Sequence, residues 1–370
     1  MNQPEKTEAP EDLNLRTLLQ EMIQKGASDL HVTAGCRAKV RIDGDLHDVN
    51  IDHQLTPRDT LMLAYSILTE NQKKRFETDD ELDFSFGVPN LSRFRGNVFK
   101  QRGCVAMAIR QIPYQIITLD ELGMPPVIKT LAERPRGLVL VTGPTGSGKS
   151  TTLASMVDKI NKERRGHIIT IEDPIEFIHR HQNCMVNQRE VGSDTKSFTA
   201  ALKYALRQDP DIILIGEMRD LETIGAALTI AETGHFVMAT LHTNSCAESI
   251  NRIIDAFPAH QQSQVRAQLA FVLEGVVTQT LLPKAKGKGR VCATEIMICT
   301  AAIRAVIRDE KIHQIYSLMQ AGKKHGMQTM NDSLQMLYMK GEITLDEALK
   351  RSGDQNELLR AVGEPIPGEK

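Results

Sequence analysis

The chain has 370 residues, 41% hydrophobic and 25% charged, with a formal net charge of −2; that suits a globular protein of two or three domains and gives no global basic field for nucleic acid. Its six cysteines (Cys36, Cys104, Cys184, Cys246, Cys292, Cys299) form no C-x-x-C pair, which argues against a zinc knuckle or disulfide framework and for a reduced, cytosolic setting. No run of about 18 apolar residues offers a membrane span, and the polar, acidic residues 1–12 lack a signal peptide's apolar core and read as a disordered tail.

Apolar positions Leu15, Leu18, Leu19, Met22 and Ile23 recur at helical spacing over residues 13–25, and Gly26 ends the pattern as a C-cap. Alternating or β-rich runs follow at 29–33, 38–42, 82–86, 94–99 and 105–109, with Asp43-Gly44 as a hairpin signal and a helical stretch at 57–68. Residues 13–112 therefore read as a small α+β domain with a largely antiparallel sheet, and 113–126 as a linker. From 127 the pattern becomes apolar strands alternating with helices, the mark of a parallel α/β core, taken here as 127–294. Its strands are expected at 137–142, 167–171, 211–215 and 236–241. Beyond 295, short helices are expected at 302–308, 312–321, 329–340 and 345–351, so 295–363 reads as a helical C-terminal region and 364–370 as a frayed tail. The basic loop 284–290 (KAKGKGR) reads as a solvated surface loop.

After the apolar run 138–141 stands GPTGSGKS, residues 143–150, a complete phosphate-binding loop followed by a helical segment at 151–160. Glycines let successive backbone N–H groups turn inward onto phosphate oxygens, a lysine reaches the β/γ-phosphates and a hydroxyl ligands Mg²⁺. Gly143, Thr145, Gly146, Ser147, Gly148, Lys149, Ser150 and Thr151 are thus the candidate nucleotide-binding set, with the positive end of the following helix added.

Chemically loaded residues end the next three strands as well: Glu172-Asp173, Glu217 and His242. An open α/β sheet binds its ligand at those carboxyl ends. DIILIGE (211–217) has the Walker B form, with Glu217 placed to orient or deprotonate the attacking water. Where a metal-binding aspartate is common stands Gly216, so Mg²⁺ falls to Ser150 with water or with another acid, Glu172 and Asp173 being the nearest suppliers; Asp173-Pro174 also fits an ordinary turn opening. His242 reads either as a γ-phosphate sensor or as a packed or capping histidine, and His235, at the other end of its strand, as structural. Arg93, Arg95, Arg102 and Arg110 lie on or beside strands of the first domain, open to two readings: guanidinium groups supplied to phosphates across a boundary, or surface arginines. Arg207, Arg219 and Arg252 are weaker candidates.

The segments 143–150, ITIEDPIEF (169–177), IGEMRDLET (215–223) and GHFVMATLHTN (234–244) resemble the Walker A, Asp box, Walker B and His box of the secretion-type hexameric ATPases, and within them the pilus-retraction branch. The resemblance spans about residues 13–349. It implies an N-terminal PAS-like α+β domain, a RecA-like P-loop core with a helical C-terminal portion, and ATP with Mg²⁺. Glu217 would be the catalytic glutamate, Glu172 the acidic-box residue near metal and water, His242 the sensor, and Arg95 and Arg110 the arginines supplied by the first domain. It further implies a cytoplasmic homohexamer working on an inner-membrane pilus platform protein, beside a paralogous retraction ATPase and without direct binding of nucleic acid. The four-cysteine module of the assembly ATPases is missing, since Pro283 leads straight into the basic loop. The retraction motif Ala-Ile-Arg-Asn-Leu is kept at Ala302, Ile303 and Arg304 but not at Ala305 and Val306, which leaves the accessory paralogue open. A RecA-like nucleic-acid translocase is disfavoured by charge and by an aromatic content of 4%.

Overall fold

The computed structural model describes residues 13–366 apart from 43, 113, 114 and 288, and the chain divides into two compact units, Met1–Gln115 and Ile116–Lys370. The tail expected at 1–12 and residues 367–370 of the one expected at 364–370 lie outside the described residues, as does Asp43 of the hairpin signal.

The first unit is a six-stranded sheet in the order β3-β2-β1-β6-β5-β4, with β1 Asp29–Val32, β2 Lys39–Ile42, β3 Asp45–Asp48, β4 Glu81–Val88, β5 Ser92–Gln101 and β6 Cys104–Ile112. Every pairing is antiparallel. Side chains alternate across a strand: Phe94, Gly96 and Val98 of β5 are buried while Arg93, Arg95 and Asn97 lie on the other face. The buried face packs on Leu18, Leu19 and Met22 of helix Leu15–Gln24 and on Phe76 of helix Glu70–Asp79. Cross-strand register places Arg95 opposite Arg110, and Arg110 opposite Asp29.

Helix Glu70–Asp79 was not expected from sequence, because Phe76 is its one buried residue and no apolar stripe announces it. A capping box supplies what packing does not: Thr69 accepts from the Gln72 N–H while Gln72 accepts from the Thr69 N–H at 2.9 Å.

The second unit holds a seven-stranded sheet in the order β13-β12-β7-β11-β10-β8-β9, with β7 Gly137–Thr142, β8 His167–Glu172, β9 Met185–Glu190, β10 Ile212–Ile215, β11 Phe236–Leu241, β12 Leu273–Pro283 and β13 Arg290–Ile298. All neighbours are parallel except β12 and β13. Every residue of β7, β8, β10 and β11 is buried, as a parallel sheet covered on both faces requires. These strands stand where the apolar runs put them. The edge strand β9 (MVNQRE) is polar and was missed.

Two expected boundaries move. From Ile116 the supposed linker belongs to the second unit: Leu119 and Met124 are buried in its core, and Ser155 Oγ donates to Ile117 O at 2.5 Å. The boundary at 294/295 falls inside β13, whose pairing with β12 ties it into the sheet, so the helices begin only at Ala301. Ile303, Ile307, Ile315 and Met319 then join the same core, and a further helix, Gln355–Val362, packs Leu358 against Leu334 and Leu337. Glu364, expected to fray, accepts from Tyr338 Oη at 3.3 Å.

Thr69→Ala is expected to cost about 1 kcal/mol, the usual worth of an N-cap, and to raise hydrogen exchange selectively in helix Glu70–Asp79. Exchange unchanged there while global stability falls would mean that packing, not the cap, holds this helix.

Candidate active site

The strand order fixes the site. β11 lies between β7 and β10, and β8 lies beyond β10, so His242, at the end of β11, stands between the phosphate loop and Glu217. Its Nε2 is 3.3 Å from Glu217 Oε1, and its Nδ1 is 3.4 Å from Thr145 Oγ1. Arg219 binds the other carboxylate oxygen, Oε2, at 2.7 Å. Burial pushes the Glu217 carboxyl upward, but Arg219 and His242 outweigh it and hold it below the usual range, leaving an ionised proton acceptor at neutral pH.

Gly143, Gly146 and Gly148 take φ values of +137°, +79° and +88°, which keeps the loop turned in on itself before helix Lys149–Glu163. Lys149 is 9% exposed and its Nζ donates to Gly143 O at 2.8 Å and Pro144 O at 3.0 Å. Burial lowers its pKa, and Glu217 pulls in the opposite direction. Ser150 and Thr151 sit in the helix's first turn, Ser150 exposed. Ser147 Oγ and Thr152 Oγ1 are buried without a partner among the described residues.

Glu172 closes β8, buried, accepting from Thr170 Oγ1 at 2.6 Å and Gln188 Nε2 at 3.3 Å. Burial raises its pKa to about 7, so its charge is poised for a neighbouring cation to set. Asp173 follows, exposed, before a cis proline. Among the described residues no group of three or more His, Cys, Asp or Glu could hold a metal.

The missing Walker B aspartate has a packing explanation. Gly216 donates its N–H to Ile171 O at 2.8 Å, and a Cβ on it would stand 3.2 Å from both that oxygen and Glu172 Cα. A side chain at 216 would press on backbone atoms of β8, which would have to give way by a few tenths of an ångström.

Within the first unit, Arg110 Nε is held on Asp29 Oδ1 at 2.7 Å, and Arg93 donates to Ser85 Oγ at 2.7 Å. His235 contacts Thr233 Oγ1 at 3.0 Å at the far end of β11. Arg304 of the retraction-like motif caps the end of helix Ala259–Val272, donating to Ala270 O at 2.6 Å, Phe271 O at 2.8 Å and Glu274 Oε1 at 2.8 Å.

Sequence reasoning undervalued Arg219 and missed a cavity of about 400 Å³ beside the Lys149 helix, walled by Thr151, Leu281, Cys292 and Leu337 with Arg290 at its edge. Burial pushes the Cys292 thiol up to about 12, so it stays neutral and part of an apolar wall. Arg290 closes the basic loop read as merely solvated. The spacing of Arg219 from Glu217 was a usable signal; the cavity, built from four distant segments, left none.

Gly216→Asp is expected to destabilise the second unit by about 1–3 kcal/mol, the usual cost of overpacking, and to leave Mg²⁺ dependence of turnover unimproved. Undiminished stability in thermal melts together with tighter Mg²⁺ use would refute the packing explanation.

A family model described as Type II/IV secretion system protein matches residues 5–350. The chain is 50% identical over 340 residues to the Type IV pilus retractation ATPase PilT of Pseudomonas aeruginosa, covering 92% of this chain and 98% of that one. It is 42% identical over 346 residues to the Type IV pilus ATPase PilU of the same organism, covering 94% and 90%. A solved structure, the crystal structure of the pilus retraction motor PilT and bound ADP, superposes with a TM-score of 0.89 at 52% identity, covering 94% of this chain and all of that chain (100%). The chain therefore belongs to the Type II/IV secretion system protein family.

Proposed function

We propose that this chain is an ATP-hydrolysing motor subunit that powers type IV pilus retraction, and so twitching motility, working as a cytoplasmic homohexamer. The observation that carries the reading is the connection of phosphate loop, His242 and Glu217 at the carboxyl edge of one sheet. The greater identity to the retraction ATPase than to PilU favours the retraction motor over its accessory paralogue.

The residues present fit a nucleotide. Loop N–H groups, the helix N-terminus and the buried hydroxyls of Ser147 and Thr152, which have no partner among the described residues, suit phosphate oxygens. The cavity by Thr151 and Leu281 suits a base. Ser150, Glu172 and Asp173 are the oxygen donors available for Mg²⁺, which usually binds through one or two carboxylates together with substrate phosphates. When bound, ATP supplies the phosphoanhydride and Mg²⁺ neutralises its charge.

Glu217 orients the attacking water and accepts its proton, and Arg219 keeps that carboxylate ionised and in place. His242, touching Glu217 on one ring nitrogen and Thr145 on the other, reports the loop's state to the base. Lys149 exchanges two loop carbonyls for phosphate oxygens. Arg95 and Arg110 act on the nucleotide in the assembled ring, Asp29 fixing the second of them. The force is delivered to an inner-membrane pilus platform protein, with a paralogous retraction ATPase as a second partner. No helix among the described residues is long and apolar enough to cross a membrane.

Glu217→Gln is expected to lower ATP turnover by about 10²–10⁴-fold while ADP affinity and ring assembly persist. Mixing Glu217→Gln subunits with Arg110→Ala subunits should restore turnover, since an arginine supplied across subunits completes some sites. Mixed rings as inactive as either parent would place Arg110 outside the neighbouring site. In the host, loss of the chain should give hyperpiliated, non-twitching cells; normal piliation with reduced force would favour the accessory role.

A further inference from the structure

The strand beside the phosphate loop grips the loop from outside. β12 runs parallel to β7 with Thr278 opposite Thr142, the last residue before the loop. Next along β12 is Gln279, only 1% exposed. Its Nε2 donates to Ser147 O at 2.7 Å. Its backbone carbonyl lies so near Gly143 that a Cβ there would overlap it, and a Cβ on Gly148 would come 3.2 Å from the same Nε2. One residue therefore meets the loop's first glycine, its last glycine and the carbonyl just before the last.

That carbonyl matters because of peptide geometry. In a trans peptide the C=O and the following N–H point in opposite directions. Holding Ser147 O outward on Gln279 turns the Gly148 N–H the other way, into the cradle. Gly148 has no side chain to oppose a flip of that peptide, so an external tether has work to do. Stability alone does not account for a glutamine here: its Oε1 is buried with no partner among the described residues, a cost that an apolar residue would not carry.

We propose that Gln279 is a positioning residue for phosphate binding, acting through the Ser147–Gly148 peptide and not by touching the nucleotide. The proposal rests on the reading that phosphates bind at residues 143–150.

The test uses the full chain carrying Gln279→Leu, with Gln279→Met as the second variant should the first not fold. Calorimetry gives the affinity for ADP and for inorganic pyrophosphate, a melt gives Tm, and steady-state kinetics give KM and kcat. The expected result is about tenfold weaker binding of both ligands, the worth of one hydrogen bond. KM should rise in step, kcat at saturating ATP stay within about threefold, and Tm shift by no more than about 3 °C. Weaker ADP binding with unchanged pyrophosphate binding would overturn the proposal, because Gln279 would then be touching the base or ribose. Unchanged affinities, with or without a lower Tm, would overturn it equally. Wild-type chain that binds neither ligand would instead sink the nucleotide reading beneath it.

Discussion

Complete burial of four parallel strands is the constraint on which the rest of this protein depends. β7, β8, β10 and β11 have every residue buried, so an unpaired charge within them would carry a heavy desolvation cost. Loaded groups are therefore driven to the strand ends. Parallel direction then gathers the carboxyl ends at one edge, and the order β7-β11-β10-β8 decides which groups become neighbours. His242 meets both Glu217 and Thr145 because its strand lies between theirs. Glu172 comes next, one strand beyond Glu217.

At that edge, burial and charge work against each other. Lys149 loses some of its preference for the charged form through burial and keeps its ammonium on two loop carbonyls. Glu217, half-buried, is held ionised by Arg219 and His242. Glu172 is bonded to Thr170 and Gln188, neither of them a cation, and burial raises its pKa to about 7. Two glutamates ending adjacent strands thus differ in character: one is a ready base, the other a carboxyl whose charge awaits a cation. The glycine at 216 belongs to the same arrangement, since a side chain there would press on the backbone of β8 at Ile171 and Glu172.

Much of this was legible in the sequence where the physics is local. Apolar runs such as 137–142 and 236–241 can be little other than buried strands, and GPTGSGKS carries its phosphate chemistry in its own glycines and lysine. What escaped was whatever depends on distant partners. β9 is polar because it is an edge, helix Glu70–Asp79 depends on a cap more than on a stripe, and β13 straddles the position where the helical region was expected to begin, its pairing with β12 being what makes it a strand. Arg219 looked incidental until Glu217 was seen to accept from it, and Gln279 carries no motif at all. Residues 116–126 looked like a linker because their burial comes from contacts far along the chain.

Whether loop, His242 and Glu217 act as one hydrolytic site would be decided by a structure of the full chain with ADP, Mg²⁺ and aluminium fluoride, a mimic of the transferring phosphoryl group. The prediction is that Lys149 Nζ leaves the carbonyls of Gly143 and Pro144 for the fluoride, with the Glu217 carboxylate within about 3 Å of the axial water, as a base in reach must be. An analogue seated in the loop with Lys149 still on those carbonyls, or with Glu217 turned away from the water, would contradict it.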